Sequence, residues 1–321
     1  MSQPEVVVVG GGPAGLGAAV LAARCGARVV LVDECLVPGG QLRYRSGPVR
    51  AAPGLPPEPP AVLADRLVVD AIAAGVDIVS NAVIWAVFAD GALALSNDGR
   101  PSLLRPAVVV VATGSTDLPL PFAGGSLPGV FSARAVLIAV NMWRVRPGRR
   151  WALVGGGPER DEVAAAIAEA GGVVAATADP ATGDAVAAAG GSGVETVVIN
   201  GRRIPIDCVA VTAGRQSDAA LAVMAGCAMR ADSEGRGFVP VVDAFGRSTN
   251  ARLVIAGDAA GICSPEVVLA EGRVAGVAAA AAVGLATGDQ LRGALDRESG
   301  VLAERLAARS NPVASFVQSY R

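Results

Sequence analysis

The stretch VVVVGGGPAGLGAAVLAARCGARVVLVDE, residues 6–34, reads as strand, glycine turn, helix, second strand and acidic end. Gly10, Gly12 and Gly15 fit G-x-G-x-x-G, and each position has its own physical task. Gly10 permits the tight turn, Gly12 lets a pyrophosphate approach the backbone, and Gly15 brings helix and strand close together. Pro13 and Ala14 open the helix, whose first-turn N–H groups and positive dipole end face the phosphates. Asp33, at the end of the second strand, is placed to accept hydrogen bonds from a ribose, with Glu34 as the alternate. Glycine turns also serve as plain packing devices. Here strand, helix, second strand and carboxylate all stand at the expected spacing, which makes the unit a dinucleotide-binding one.

The 321 residues exceed one ordinary domain. A hydrophobic fraction of 52% with only 3% aromatic residues comes mainly from Ala and Val, and suits buried parallel strands covered by alanine-rich helices. A net charge of -2 gives no electrostatic ground for nucleic acid. The apolar run 274–286 is too short and too alanine-rich to span a bilayer, and no charged leader precedes an apolar segment; no transmembrane segment and a cytoplasmic location are expected.

The sequence contains no His and no Lys; all 27 basic residues are Arg. The usual general base, the commonest metal ligand and any Schiff-base amine are therefore missing. No catalytic side chain and no metal site are assigned, and chemistry must come from a cofactor, from Asp, Glu, Cys or Tyr, or from a partner chain. The five cysteines form no C-x-x-C pair, so neither a dithiol centre nor a zinc site is written here.

Downstream, Gly39, Gly40 and Gln41 make a second flexible backbone approach, followed by Arg43, Tyr44 and Arg45 as loop and interface contacts. A proline-rich loop covers 51–60, a helix 61–74, and short strands 77–83 and 87–95, with turns at Asp90-Gly91 and Asn97-Asp98-Gly99. Val108–Val111 is a buried strand closing on Ala112, Thr113 and Gly114, a sequence suited to a chain that passes close to a bound cofactor. Prolines and glycines at 119–125 mark a linker, so a first boundary falls at Leu118.

A second nucleotide-type unit starts at Trp151, in WALVGGGPERDEVAAAIAEAGG. Gly155, Gly157 and Pro158 occupy its turn, but the third glycine position is Arg160, which puts the close helix–strand approach in doubt. No Arg ends its second strand, so a 2'-phosphate site is not supported. The elements that follow are short. Retained scaffold, NAD(P) and another adenine nucleotide all stay open for this unit.

Near the C-terminus the strand 253–256 runs into Gly257 and Asp258, a carboxylate placed to bind a polyol hydroxyl. Ser264-Pro265-Glu266 then reads as N-cap, first helical residue and acidic first turn of a helix over 267–282. Cys263 is read as a packing or partner-facing thiol, and 288–321 as a helical tail. Domain limits of 1–118 with 246–321, and 119–245 inserted, follow.

Taken together, the Gly10, Gly12, Gly15 motif, Gly39-Gly40-Gln41, Ala112-Thr113-Gly114 and Gly257-Asp258 resemble the two-dinucleotide-binding-domain flavoproteins over nearly the whole chain. Within that group GGQLRYR, the second GGGP, FVPVVDAFGRSTNARLVIAGDAAGI and AEGRVAG are most similar to one branch. That branch is the FAD-containing alpha subunit of heteromeric amino-acid and opine dehydrogenases, with hydrogen cyanide synthase and hydroxyproline dehydrogenase subunits. The resemblance implies an α/β fold, an FAD-binding Rossmann-like domain carrying a shortened second Rossmann-like, NAD-type domain. It implies FAD on the first glycine motif, its ribose on Asp33 and its ribitol on Asp258. It also implies that amine oxidation belongs to a catalytic flavoprotein beta subunit. The cysteine-rich extension of longer relatives is not in this sequence, so a small iron–sulfur subunit, where needed, is expected as another chain.

The leading expectation is an FAD-containing electron-transfer subunit of a dehydrogenase for a proline-, hydroxyproline-, opine- or glycine-like amine. The alternative is a stand-alone NAD(P)H-dependent flavin oxidoreductase without the redox dithiol, and a third is a scaffold that keeps its nucleotide as an assembly element.

Overall fold

A computed structural model describes residues 3–310 apart from Pro53 and 233–236. The end of the expected tail, 311–321, lies outside the described residues. The described residues form two units: 3–42, 48–115 and 217–310 make the first, 43–47 and 116–216 the second.

The first unit begins with β1 (Val6–Val9), α1 (Pro13–Arg24), β2 (Val29–Val32), α2 (Pro60–Ala73), β3 (Asp77–Val79), β4 (Ala82–Val87), β5 (Leu93–Asn97), β6 (Arg100–Leu104) and β7 (Val108–Val111). The second holds β8 (Val130–Ser132), α3 (Ala133–Leu137), β9 (Arg150–Val154), α4 (Arg160–Glu169), β10 (Val173–Ala178), β11 (Val186–Ala189), β12 (Thr196–Ile199), β13 (Arg202–Pro205) and β14 (Cys208–Val211). The chain then returns through α5 (Ala220–Met224), β15 (Met229–Ala231), β16 (Phe238–Pro240), β17 (Leu253–Ile255), α6 (Pro265–Ala282) and α7 (Gly288–Ser310).

In the first unit the strands β17-β7-β1-β2-β3 form one sheet, every pair parallel. The valine runs explain it. Val6 and Val8 enter one core with Val108 and Val110, and Val7 and Val9 enter another with Val109 and Val111. Alternate side chains thus meet apolar cover on both faces, which is why these strands are apolar throughout rather than alternating. Helices α1, α2 and α6 supply one cover; the antiparallel sheet β4-β5-β6 and α5 supply residues of the other. Each buried valine contributes roughly 1.5–3 kcal/mol by leaving water.

Helix α6 meets α1 through glycines spaced one turn apart. A Cβ on Gly272 would overlap the Ala14 carbonyl oxygen, and one on Gly276 the Ala18 carbonyl oxygen, so the two backbones touch where any side chain would part them. This contact ties the helix behind the glycine turn to the helix behind Asp258.

Several expectations are corrected. The return to the first unit comes at Ser217, not at 246, because Leu221, Ala222 and Cys227 are buried in the same core as β4 and β5. Residues 43–47 belong to the second unit, and Tyr44 is one of its core residues rather than a loop contact. Asn81, at φ 53, divides the expected strand 77–83 into β3 and β4, and β6 is a strand beyond those expected. The turns at Gly91 and Gly99 stand at their expected positions.

In the second unit β10-β9-β14-β8 form a parallel sheet and β11-β12-β13 an antiparallel one. Trp151, Val163, Ile167, Cys208 and Tyr44 share one core there. Burial pushes the Cys208 thiol up to about 11, the nearby Asp207 carboxylate adding to it, and pushes the Tyr44 hydroxyl up to about 12. The unfolded chain releases these protons near the ordinary 9.0 and 10.0, while the folded chain keeps them. Their stabilisation is complete below pH 9 and is lost as pH rises through 11 to 12. Denaturant titrations are expected to show the second unit losing about 2 kcal/mol between about pH 8 and about pH 10.5. No loss there would mean that neither group is buried as described.

Candidate functional site

The geometry of the first glycine turn follows from three missing side chains. Gly10 has φ +101, and a Cβ on Gly15 would overlap the Gly10 carbonyl oxygen, so α1 starts against the end of β1. Gly12 differs from both. A Cβ there would meet only the Gly40 Cα, at 3.9 Å, and the rest of its surroundings are open. Among the described residues the Gly12 N–H has no acceptor within the chain. Helix α1 begins directly after it at Pro13, a residue with no donor to lose, so the first-turn amides of Ala14 and Gly15 add to that of Gly12. An open, donor-rich concavity at a helix start fits a diphosphate.

Two acidic residues, Asp33 and Glu34, follow β2. Asp33 is 6% exposed, and its carboxylate accepts from the Gly11 N–H and from the Cys35 N–H at 2.7 Å. Burial raises its carboxyl above the ordinary carboxylate range, and those two hydrogen bonds pull it partly back. Asp33 therefore braces the glycine turn through its backbone. Glu34 is exposed beside it.

Gly39 and Gly40 close over the turn. The Gly39 N–H donates to the Gly11 oxygen at 2.8 Å, and a Cβ on Gly40 would come within 2.8 Å of the Gly12 Cα. The next residue, Gln41, reaches from this loop to the far end of the sheet: its Nε2 donates to Ser115 Oγ and to Asp258 Oδ2, each at 2.9 Å. Ser115 Oγ also donates to Asp258 Oδ2 at 3.0 Å, and the Cys263 N–H donates to Oδ1 at 3.1 Å. Asp258 is 5% exposed and so sits within a ring of donors. A polyol hydroxyl could join that ring as a further donor.

Ala112, Thr113 and Gly114 follow β7, and two of them hold the returning chain. Thr113 Oγ1 donates to the Asp218 oxygen at 2.6 Å, and the Gly114 oxygen accepts from the Asp218 N–H at 3.0 Å. Ser217 Oγ in turn donates to the Asp258 oxygen at 2.6 Å. Sequence reasoning missed Ser217 and Glu271. Glu271 is 5% exposed on α6 and accepts from the Gly257 N–H at 3.0 Å, fixing the loop that carries Asp258. The signal was a lone carboxylate inside the apolar stretch LAEGRVAG. Ser264 stands at the N-cap of α6 as expected, but its side chain caps no amide, which leaves the first-turn donors of α6 without that partner.

Gly155, Gly157 and Pro158 follow β9 in the second unit and form a different turn. Helix α4 begins at Arg160, not directly after the second glycine as α1 does. Among the described residues no helix is long and apolar enough to cross a membrane.

A parallel sheet, a glycine turn open at Gly12 and a carboxylate ringed by donors at Asp258 fit a dinucleotide-binding flavoprotein. The chain belongs to the pyridine nucleotide-disulphide oxidoreductase family, whose model matches residues 4–180. One of the opine oxidase subunits of Agrobacterium tumefaciens is 29% identical over 334 residues, covering 86% of this chain and 65% of that protein. The chain thus spans just under two thirds of that relative's length. L-proline dehydrogenase from P. horikoshii shares the fold over 99% of this chain and 60% of its own, with a TM-score of 0.78 at 23% identity. Thioredoxin reductase of Lactococcus lactis shares it over 88% of this chain and 99% of its own, with a TM-score of 0.69 at 17% identity. The residues at the first turn fit FAD, and the chain is a flavin-type oxidoreductase by family and fold.

Proposed function

We propose that this chain is the FAD-binding electron-transfer subunit of a multi-subunit dehydrogenase that oxidises a small amine or amino acid of the proline, hydroxyproline, opine or glycine type. One observation carries the reading: a cradle open at Gly12 and furnished at Asp258 occurs in a chain with neither His nor Lys. FAD, when bound, supplies the reversible uptake of electrons. The chain's own residues hold it. Amides of Gly12, Ala14 and Gly15 take the diphosphate, Asp33 takes the adenosine ribose with Glu34 as the alternate, and Asp258 with Gln41 and Ser115 takes the ribitol hydroxyls. The start of α6 stabilises negative charge that develops nearby.

What the chain does not offer is a His or a Lys to take a proton from an ammonium substrate. That step is assigned to a partner, a catalytic flavoprotein subunit, with a small iron–sulfur protein where the electron path needs one. The similarity to a protein named as part of an opine oxidase supports the division.

Dye reduction with candidate amines measures it. The chain alone is expected to be yellow and nearly inactive, and to gain at least about a hundredfold in rate on mixing with its partner. Full-rate amine oxidation by the isolated chain would refute the assignment.

A further inference from the structure

The two glycine turns of this chain look alike in sequence and differ in what fills them. Gly155 repeats Gly10, with φ +113 at the end of a central parallel strand. At the next glycine the likeness ends. The Gly157 N–H donates to the Thr212 carbonyl oxygen at 2.6 Å, and a Cβ on Gly157 would lie 2.5 Å from both that oxygen and the Gly214 nitrogen. The space that is open over Gly12 is occupied over Gly157 by backbone 212–214.

The cause lies one turn further on. Gly15 lets α1 press onto the Gly10 carbonyl, but Arg160 carries a side chain at the matching position, and α4 begins only there. Pro158 and Glu159, which correspond to the first helical residues of α1, stay outside the helix. The amides that would form an anion cradle are therefore not arrayed as a first helical turn.

Glu159 completes the change. It is the N-cap of α4, is 5% exposed, and accepts from Arg215 Nε at 2.7 Å. Its other carboxylate oxygen is buried with no hydrogen-bond partner. The neighbouring charges are also matched within the unit: Arg45 with Glu162 at 2.7 Å, and Arg134 with Asp117 at 3.8 Å. Each of these arginines already faces a carboxylate, and a phosphate entering here would meet a buried negative charge.

We infer that the second glycine turn is an internally liganded pseudo-site: Glu159 supplies the anion that Arg215 binds, and the turn takes no nucleotide diphosphate. Resting on the proposed electron-transfer reading, this means that bound FAD exchanges electrons without a nicotinamide nucleotide on this chain.

Two measurements on the FAD-loaded chain test it. Titration of NADH and NADPH by nicotinamide fluorescence, and of ADP by calorimetry, is expected to show no saturable binding up to about 1 mM, and anaerobic NADH is expected to leave the flavin spectrum unchanged. Saturable binding near one nucleotide per chain overturns the inference while leaving the FAD reading intact; absence of FAD itself would overturn the latter instead. In thermal melts Arg215→Met is expected to lower Tm further than the paired Glu159→Met with Arg215→Met, because the single change strands a buried carboxylate. Equal or reversed losses would remove Glu159 from its role as the internal anion.

Discussion

Gly12→Val is expected to give a folded chain that no longer retains FAD. The fold tolerates the substitution because a Cβ at Gly12 meets only the Gly40 Cα, at 3.9 Å, and the backbone there is extended with φ −73 and ψ −177, which valine adopts readily. The added methyl groups then stand over the Gly12 N–H, in the space through which a diphosphate must approach. Losing that approach and its hydrogen bonds is expected to cost about 3 kcal/mol or more, a hundredfold or greater fall in affinity. Flavin absorbance per chain, read beside far-UV circular dichroism, separates the two outcomes. A yellow variant with normal FAD content would place the diphosphate elsewhere.

Gly272→Val is expected to act through the fold instead. Its Cβ would overlap the Ala14 carbonyl oxygen and lie 2.6 Å from the Ala14 Cα, so α6 and α1 must separate. Overpacking against backbone, which has no rotamer to yield, is expected to cost about 3 kcal/mol or more. For a chain of this size that lowers Tm by roughly 6–12 °C. FAD retention should fall with it, since α1 carries Ala14 and Gly15 and α6 carries Glu271, which holds the Gly257 N–H. Gly300→Ala is the matched control: nothing lies within 4 Å of its Cβ, and alanine in a helix interior stabilises by up to about 1 kcal/mol. A Gly272→Val melt equal to that of the control would mean the helices do not touch as described.

Much of the first unit is legible in the sequence because its determinants are local. The valine runs, the glycine spacing and the Ser264-Pro265 helix start each announce an element within a few residues. What escapes a sequence reading depends on partners distant along the chain. The strand-end position of Asp33 is legible; its two backbone hydrogen bonds depend on Gly11, where a Cβ would overlap the carboxylate, and on the Cys35 N–H. The middle glycine of the triplet is the clue. The spacing of Gly272 and Gly276 likewise signals a close helix crossing, masked by the general abundance of Ala and Gly in α6. The doubt raised by Arg160 has a sound basis, yet the seal over Gly157 comes from Thr212 and Gly214, more than fifty residues on, and no local pattern reports it. The return at Ser217 is hidden for a similar reason: α5 is short, and only its burial against β4 and β5 shows which unit owns it.

One FAD is expected on the first glycine turn and none on the second. Titration of the flavin-free chain with FAD, followed by flavin fluorescence, tests it most directly. Saturation at one FAD per chain is the predicted result; no binding at micromolar FAD, or saturation at two, would contradict it.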